Sequence, residues 1–176
     1  MERRRFLKYG LAAPLALAPA PALARIVGGP PRRLAFDNLH TGERLNLTYW
    51  ADGAYIADSL ASMNVLLRDF RTGETKAMDL RLFDLLYALR RKMDSAAPFG
   101  VISGYRSPKT NAALRRKSRG VAKHSLHMRG MAIDIQLPGR ALPDLRAAAI
   151  RLARGGVGYY PRSGFVHVDV GRVRSW

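Results

Sequence analysis

Two short segments limit this chain more than any other feature. MAIDIQL, from Met131 to Leu137, and FVHVDV, from Phe165 to Val170, both alternate apolar and polar residues. A period of two marks a half-buried strand, whose successive side chains point to opposite faces. In the first segment Met131, Ile133, Ile135 and Leu137 take the core face, which leaves Ala132, Asp134 and Gln136 on the other. In the second, Val166, Val168 and Val170 turn inward, and Phe165, His167 and Asp169 turn outward. As neighbours in one sheet, the strands would project Asp134 and His167 from the same side. His127 stands just before a turn at Gly130, which can fold it back over that face.

His127, Asp134 and His167 together offer two imidazoles and one carboxylate. A catalytic zinc site uses three protein ligands of this kind and leaves a fourth position to water. The ion lowers the pKa of that water and polarises a carbonyl. The chain has no cysteine, so thiolate sites and disulfides are excluded, and any metal must rest on carboxylates and on His40, His124, His127 or His167. His40 lies in a bend and reads as a local hydrogen-bonding residue.

Around this centre the pattern predicts strands on either side of the bend at residues 40–43, within Leu34 to Trp50. Ile56, Leu60, Met63 and Leu67 recur at helical spacing within a helix spanning Ala54 to Phe70. A second helix runs from an Asp79 cap to about Met93, with Leu82, Leu85, Leu86 and Leu89 on one face. A strand follows at Phe99 to Ser103, then a tight turn from Gly104 to Pro108. A short helix starting at Thr110 or Ser107 ends near Arg116, and a basic loop covers Lys117 to His124. The remainder reads as the Met131–Leu137 strand, a helix at Leu142 to Arg154, and strands at Val157 to Tyr160 and Phe165 to Val170. Helices first and strands later imply an α+β fold, with a small antiparallel sheet carrying the metal site and packed against helices.

The first residues read as an address. Arg3, Arg4, Arg5 and Lys8 precede an apolar, alanine-rich run that ends in a small-x-small cleavage pattern at Ala22 to Ala24. RRRFLK also resembles the twin-arginine export consensus. The run is too short and too often broken by proline to span a bilayer, which takes ~20 apolar residues. Residues 1–24 are therefore expected to be an export signal and residues 25–176 one domain, with no stable membrane insertion after cleavage. Removing Arg3, Arg4, Arg5, Lys8 and Glu2 takes the net charge from +17 to +14. So basic a domain favours anionic partners. In a periplasmic or other extracytoplasmic location, that partner is a wall polymer rather than nucleic acid.

Three motifs, in order, carry a family resemblance. SLHMRGMAID is similar to the SxHxxGxAxD motif of the LAS-type zinc peptidases, the superfamily of the D-Ala-D-Ala carboxypeptidases and related peptidoglycan endopeptidases. SGYRSPKTN resembles their S-x-Y-R motif, and GFVHVDVG their last ligand strand. With NLHTGE added, the phrasing is nearest to the exported MepK-type murein endopeptidases, from roughly Leu34 to Trp176. The resemblance implies one zinc ion on His127, Asp134 and His167. It places Arg106 near the substrate carbonyl or a carboxylate, and it places Ser125 and Tyr105 among the substrate contacts. It further implies a zinc-dependent peptidoglycan endopeptidase that hydrolyses cross-links between murein stem peptides with zinc-activated water.

One departure stands out. Many relatives carry a glutamate or histidine just upstream of the last ligand as general base, and Tyr160 to Phe165 contains neither. Asp169 and His124 are the candidates for that role, and Asp169 could equally orient a histidine. Two other readings accompany the endopeptidase. A D,D-carboxypeptidase of the same superfamily would need a pocket for a free carboxylate. A non-catalytic wall-binding module would hold zinc with a fourth protein ligand.

Overall fold

Asp134 and His167 are direct partners in the register of two antiparallel strands, and the rest of the fold is arranged around that pair. The computed structural model describes residues 29–118 and 120–176. The export signal expected over residues 1–24 lies outside the described residues. The strands are β1 (Arg32–Asn38), β2 (Arg44–Ala51), β3 (Ala54–Tyr55), β4 (Phe99–Ser103), β5 (Ala132–Gln136), β6 (Gly156–Tyr160), β7 (Phe165–Asp169) and β8 (Arg174–Ser175). The helices are α1 (Ala57–Leu66), α2 (Leu80–Lys92), α3 (Pro108–Lys117) and α4 (Leu142–Leu152).

The eight strands among the described residues form one sheet in the order β3-β2-β1-β4-β5-β7-β6-β8. The α+β class therefore holds, with a sheet that is wider than expected and mixed. β1 and β4 run parallel, as do β6 and β8, and the other pairs are antiparallel. The β1–β4 pairing has a physical reason. Parallel neighbours need a crossover of a dozen or more residues, and the segment carrying α1 and α2 supplies it.

The expected helix from Ala54 begins later, because Asp52 and Gly53 take positive φ values of 51° and 82° and turn the chain into a hairpin. Asp-Gly is a favoured pair for such a two-residue turn. Asp79 caps α2 as expected, accepting from the Arg81 backbone N–H, and Ser107 rather than Thr110 caps α3, accepting from Thr110 N–H.

The core lies between one face of the sheet and α1, α2 and α4. Phe36, Phe99, Ile133, Ile135, Val166 and Val168 come from the strands. Leu82, Leu86, Leu89, Leu145 and Ala148 come from the helices, and all of these are fully buried or nearly so. Packing this face leaves the opposite side of β5 and β7 to their polar residues.

Candidate active site

Three elements deliver three side chains to one point. β5 presents Asp134 and β7 presents His167. His127 comes from a single 3-10 turn, Leu126–Arg129, which Ser125 caps and Gly130 ends. Gly130 has φ +68°, and a Cβ there would stand 2.6 Å from the Ala77 carbonyl oxygen. Only glycine permits both the left-handed backbone and the close approach. The Arg106 backbone N–H donates to the His127 carbonyl at 3.2 Å, so the Gly104–Ser107 turn and the histidine turn are tied together.

Both histidines are held at one nitrogen, which determines the other. His127 Nδ1 lies 2.7 Å from the Gly104 carbonyl oxygen. A carbonyl can only accept, so Nδ1 carries the proton and Nε2 offers its lone pair. His167 Nε2 lies 3.1 Å from Asp169 Oδ2, and its Nδ1 faces inward. His127 Nε2, His167 Nδ1 and Asp134 Oδ1 then form a triangle with edges of 3.2, 3.2 and 2.9 Å. Ligand atoms ~2.0–2.1 Å from a tetrahedral zinc ion would be ~3.3 Å apart. The donor types, their spacing and their fixed tautomers fit such an ion.

The electrostatics point the same way. All three residues are buried. Burial pushes the His127 imidazole below its ordinary pKa, toward the neutral form that a ligand must take. Burial alone would raise the Asp134 carboxyl, but His127 and His167 outweigh it and hold the group well below the usual carboxylate range. Burial also lowers His167, but bonds to Asp134 and Asp169 reverse the sign. Two carboxylates flanking one imidazole form a pocket for positive charge, which a divalent cation supplies more fully than a proton.

The triangle lies in a cleft of about 450 Å³. Arg106, His124 and Ser125 line it, together with Tyr160, Phe165, Arg174 and Trp176. The Arg106 side chain is 11% exposed, and its contacts are long: 3.5 Å to Asp134 Oδ2, 3.4 Å to Ser103 Oγ and 3.5 Å to Asn111 Oδ1. Its buried Nε has no partner. A guanidinium with donors to spare at the edge of the triangle can receive an anion. His124 is exposed on its loop beside the cleft. The Ser125 hydroxyl accepts from the His127 N–H at 3.4 Å.

Two of the singled-out residues sit away from the cleft. The Tyr105 ring is buried with the core cluster. Asp169 is fully buried, and its carboxylate is committed. Oδ1 accepts from the backbone N–H groups of Gly156 and Gly171 and from Arg174 at 3.2 Å, while Oδ2 meets His167 and Arg174. Burial would raise its pKa, but His167, Arg174 and the two amides hold it well below the carboxylate range. His40, read as a bend residue, stacks on Phe70 at 4.1 Å.

Sequence reasoning passed over Asp69, which is 1% exposed. Its Oδ2 accepts from the Ser107 N–H at 2.8 Å, anchoring the turn that carries Arg106. Its position, just before the turn residues Arg71 to Gly73, was the available signal.

Residues 27–176 match the family described as Peptidoglycan L,D-endopeptidase MepK. The Peptidoglycan L,D-endopeptidase MepK of Escherichia coli K12 is 45% identical over 176 residues, covering 99% of this chain and 97% of the relative. The protein of the same name from Shigella flexneri is likewise 45% identical over the same coverage. A Haemophilus influenzae relative, named a probable peptidoglycan L,D-endopeptidase MepK, is 41% identical over 177 residues, covering 99% of this chain and 95% of its own length.

Proposed function

Because the chain belongs to this peptidoglycan L,D-endopeptidase family, we propose that it hydrolyses an amide in the cross-links between murein stem peptides. The bond would join an L- and a D-configured residue, and the site would work with one zinc ion. The observation that carries this reading is the triangle of His127 Nε2, Asp134 Oδ1 and His167 Nδ1, buried at the base of a cleft. A zinc ion bound there supplies a Lewis acid that polarises the scissile carbonyl and lowers the pKa of water.

The protein's own groups do the rest. Gly104 fixes the tautomer of His127 through Nδ1–H. Asp169 orients His167 from the outer nitrogen, a positioning role that suits its spent lone pairs. Arg106 binds the oxygen on which negative charge develops, or a substrate carboxylate, with a charge that does not titrate. His124, a proton-carrying side chain in the lining that is not tied into the triangle, takes the base or proton-shuttle role. Ser125 contributes its hydroxyl at the cleft wall.

Among the described residues the metal-ligating group has three members and no fourth. That favours a site with an open position over a structural zinc site in a wall-binding module. The relatives' names favour an endopeptidase over a D,D-carboxypeptidase. The basic charge holds the protein near stem-peptide carboxylates, and the arginine-led first residues route it to a periplasmic or other extracytoplasmic place. The deciding experiment incubates zinc-loaded protein with purified cross-linked muropeptides, using a chelator and His127→Ala as controls. Conversion of dimers to monomers that both controls abolish is expected. Intact dimers in the presence of bound zinc would overturn the reading.

A further inference from the structure

Val157 and Tyr159 of β6 clasp Trp176 by its backbone. The Trp176 N–H donates to the Val157 carbonyl at 3.1 Å, and the Tyr159 N–H donates to the Trp176 carbonyl at 3.0 Å. These bonds do not depend on the side chain. The indole lies across Gly158, where a Cβ would stand 2.8 Å from two of its ring carbons. Gly158 is the register partner of His167. A bare glycine next to a metal-ligand residue thus makes room for an indole, whose ring centroid is 5.3 Å from that of His167.

The indole is held on several sides. Its N–H donates to the Tyr160 hydroxyl at 2.8 Å, and the Tyr160 ring stacks on Phe165 at 4.7 Å. The Arg174 guanidinium sits 4.8 Å from the indole centroid. Even so, Trp176 is 48% exposed, and it lines the cleft. Its one polar group is satisfied internally, so what it offers the cleft is flat and apolar. A large ring already fixed in its rotamer loses little entropy when a ligand packs on it.

We infer that Trp176, backed by Tyr160 and Phe165, is the wall on which the aliphatic side chain next to the scissile amide packs, making it a substrate-positioning residue. This deepens the peptidoglycan reading and rests on it for the substrate class. Trp176 acts on substrate binding, separately from the hold that Asp169, itself bonded by Arg174, has on His167.

The test uses the chain's two tryptophans. Trp50→Phe, on β2, leaves Trp176 as the sole indole emitter. Titrating this zinc-loaded protein with a soluble cross-linked muropeptide is expected to shift Trp176 emission saturably, with a midpoint close to KM. In the kinetic arm, Trp176→Ala is expected to raise KM about tenfold, as loss of an aromatic anchor does, with kcat within about threefold of wild type. Trp176→Phe should recover part of the loss, and zinc affinity should stay unchanged in both variants. Emission that ignores the muropeptide at concentrations the wild type turns over would overturn the inference. So would an unchanged KM in Trp176→Ala, or an effect on zinc affinity in place of KM. An emission shift without any cleavage would keep Trp176 as a wall on which the muropeptide packs and remove the endopeptidase reading, and neither signal would remove both.

Discussion

Asp169 meets the outer nitrogen of His167, Nε2, at 3.1 Å, and so the inner nitrogen, Nδ1, is the one that faces Asp134 and His127. Adjacent outward positions on one strand, two residues apart, have been given different jobs. His167 reaches the triangle, and Asp169 reaches the imidazole from behind while Arg174 and two backbone amides hold it still.

The first prediction follows from that division. Asp169→Asn can keep an oxygen for the two backbone amides, but it then turns its NH2, a donor, toward His167 Nε2–H, which loses its acceptor. Zinc affinity should fall about 10–100-fold, the usual cost of losing such a partner. Activity should recover as zinc is raised. Competition against a chromogenic chelator measures the affinity. Wild-type affinity with abolished activity would instead point to Asp169 acting in the chemistry itself.

Arg106 should show the opposite pattern. Arg106→Lys keeps the charge but loses the planar fork, and a flexible ammonium cannot reproduce its directed donors. We expect kcat/KM to fall about 10²–10³-fold, the scale of a lost oxyanion donor, with zinc affinity within about threefold of wild type. Steady-state kinetics alongside a zinc titration separate the two quantities.

His124 is exposed and makes no contact with the triangle, so its replacement should leave the fold and the metal alone. His124→Ala is expected to lower kcat about 10²-fold, within the range for loss of a general acid or base. Chemical denaturation should match wild type. Unchanged kcat would remove His124 from the proton path.

Two corners of the triangle, Asp134 and His167, were legible in the sequence because their signal is local and periodic. Alternation along MAIDIQL and FVHVDV fixes which face each residue takes, and the observed register pairs Asp134 with His167. Asp169 shows where that logic ends. Alternation puts it on the ligand face, but nothing in the strand reveals that Gly156, Gly171 and Arg174 close over it. Trp176 was missed for a related reason, since it follows a two-residue strand, β8, that has no periodicity to read, and its backbone bonds to Val157 and Tyr159 of β6 are wholly tertiary. The Asp52–Gly53 hairpin was readable from residue type alone, but the helical spacing beginning at Ile56 masked it.

Gly104 carries a packing requirement that can be tested through stability. A Cβ there would lie 2.5 Å from the Leu67 carbonyl oxygen and 2.9 Å from the Leu67 Cβ. Backbone cannot yield as a flexible side chain can. Gly104→Ala should destabilise the fold by about 1–3 kcal/mol, the range for overpacking. It should also weaken zinc binding, because the Gly104 carbonyl that holds His127 Nδ1 must shift. Urea denaturation reads the first effect, and a wild-type midpoint would contradict the close approach.

Asp69 gives the last prediction, in which the sign decides the outcome. Burial works to raise its pKa, but bonds from the Thr110 side chain, from Ser107 and from the Arg71 backbone overcome this and lower it below the ordinary carboxylate value. A carboxyl whose folded pKa is depressed binds its proton more readily in the unfolded chain. Its stabilisation is therefore complete above the unfolded value of ~3.9 and is lost as pH falls through the folded value. Asp69→Asn should be less stable than wild type at pH 6–7, and the gap should close steadily as pH drops below about 4. Because Asp69 anchors the Ser107 N–H, the same variant should also loosen the turn bearing Arg106 and lower kcat/KM at neutral pH. Urea midpoints for both proteins across pH 3–7 measure the closure. A gap that is constant with pH would mean that Asp69 acts through shape and hydrogen bonding alone, with no part played by its charge.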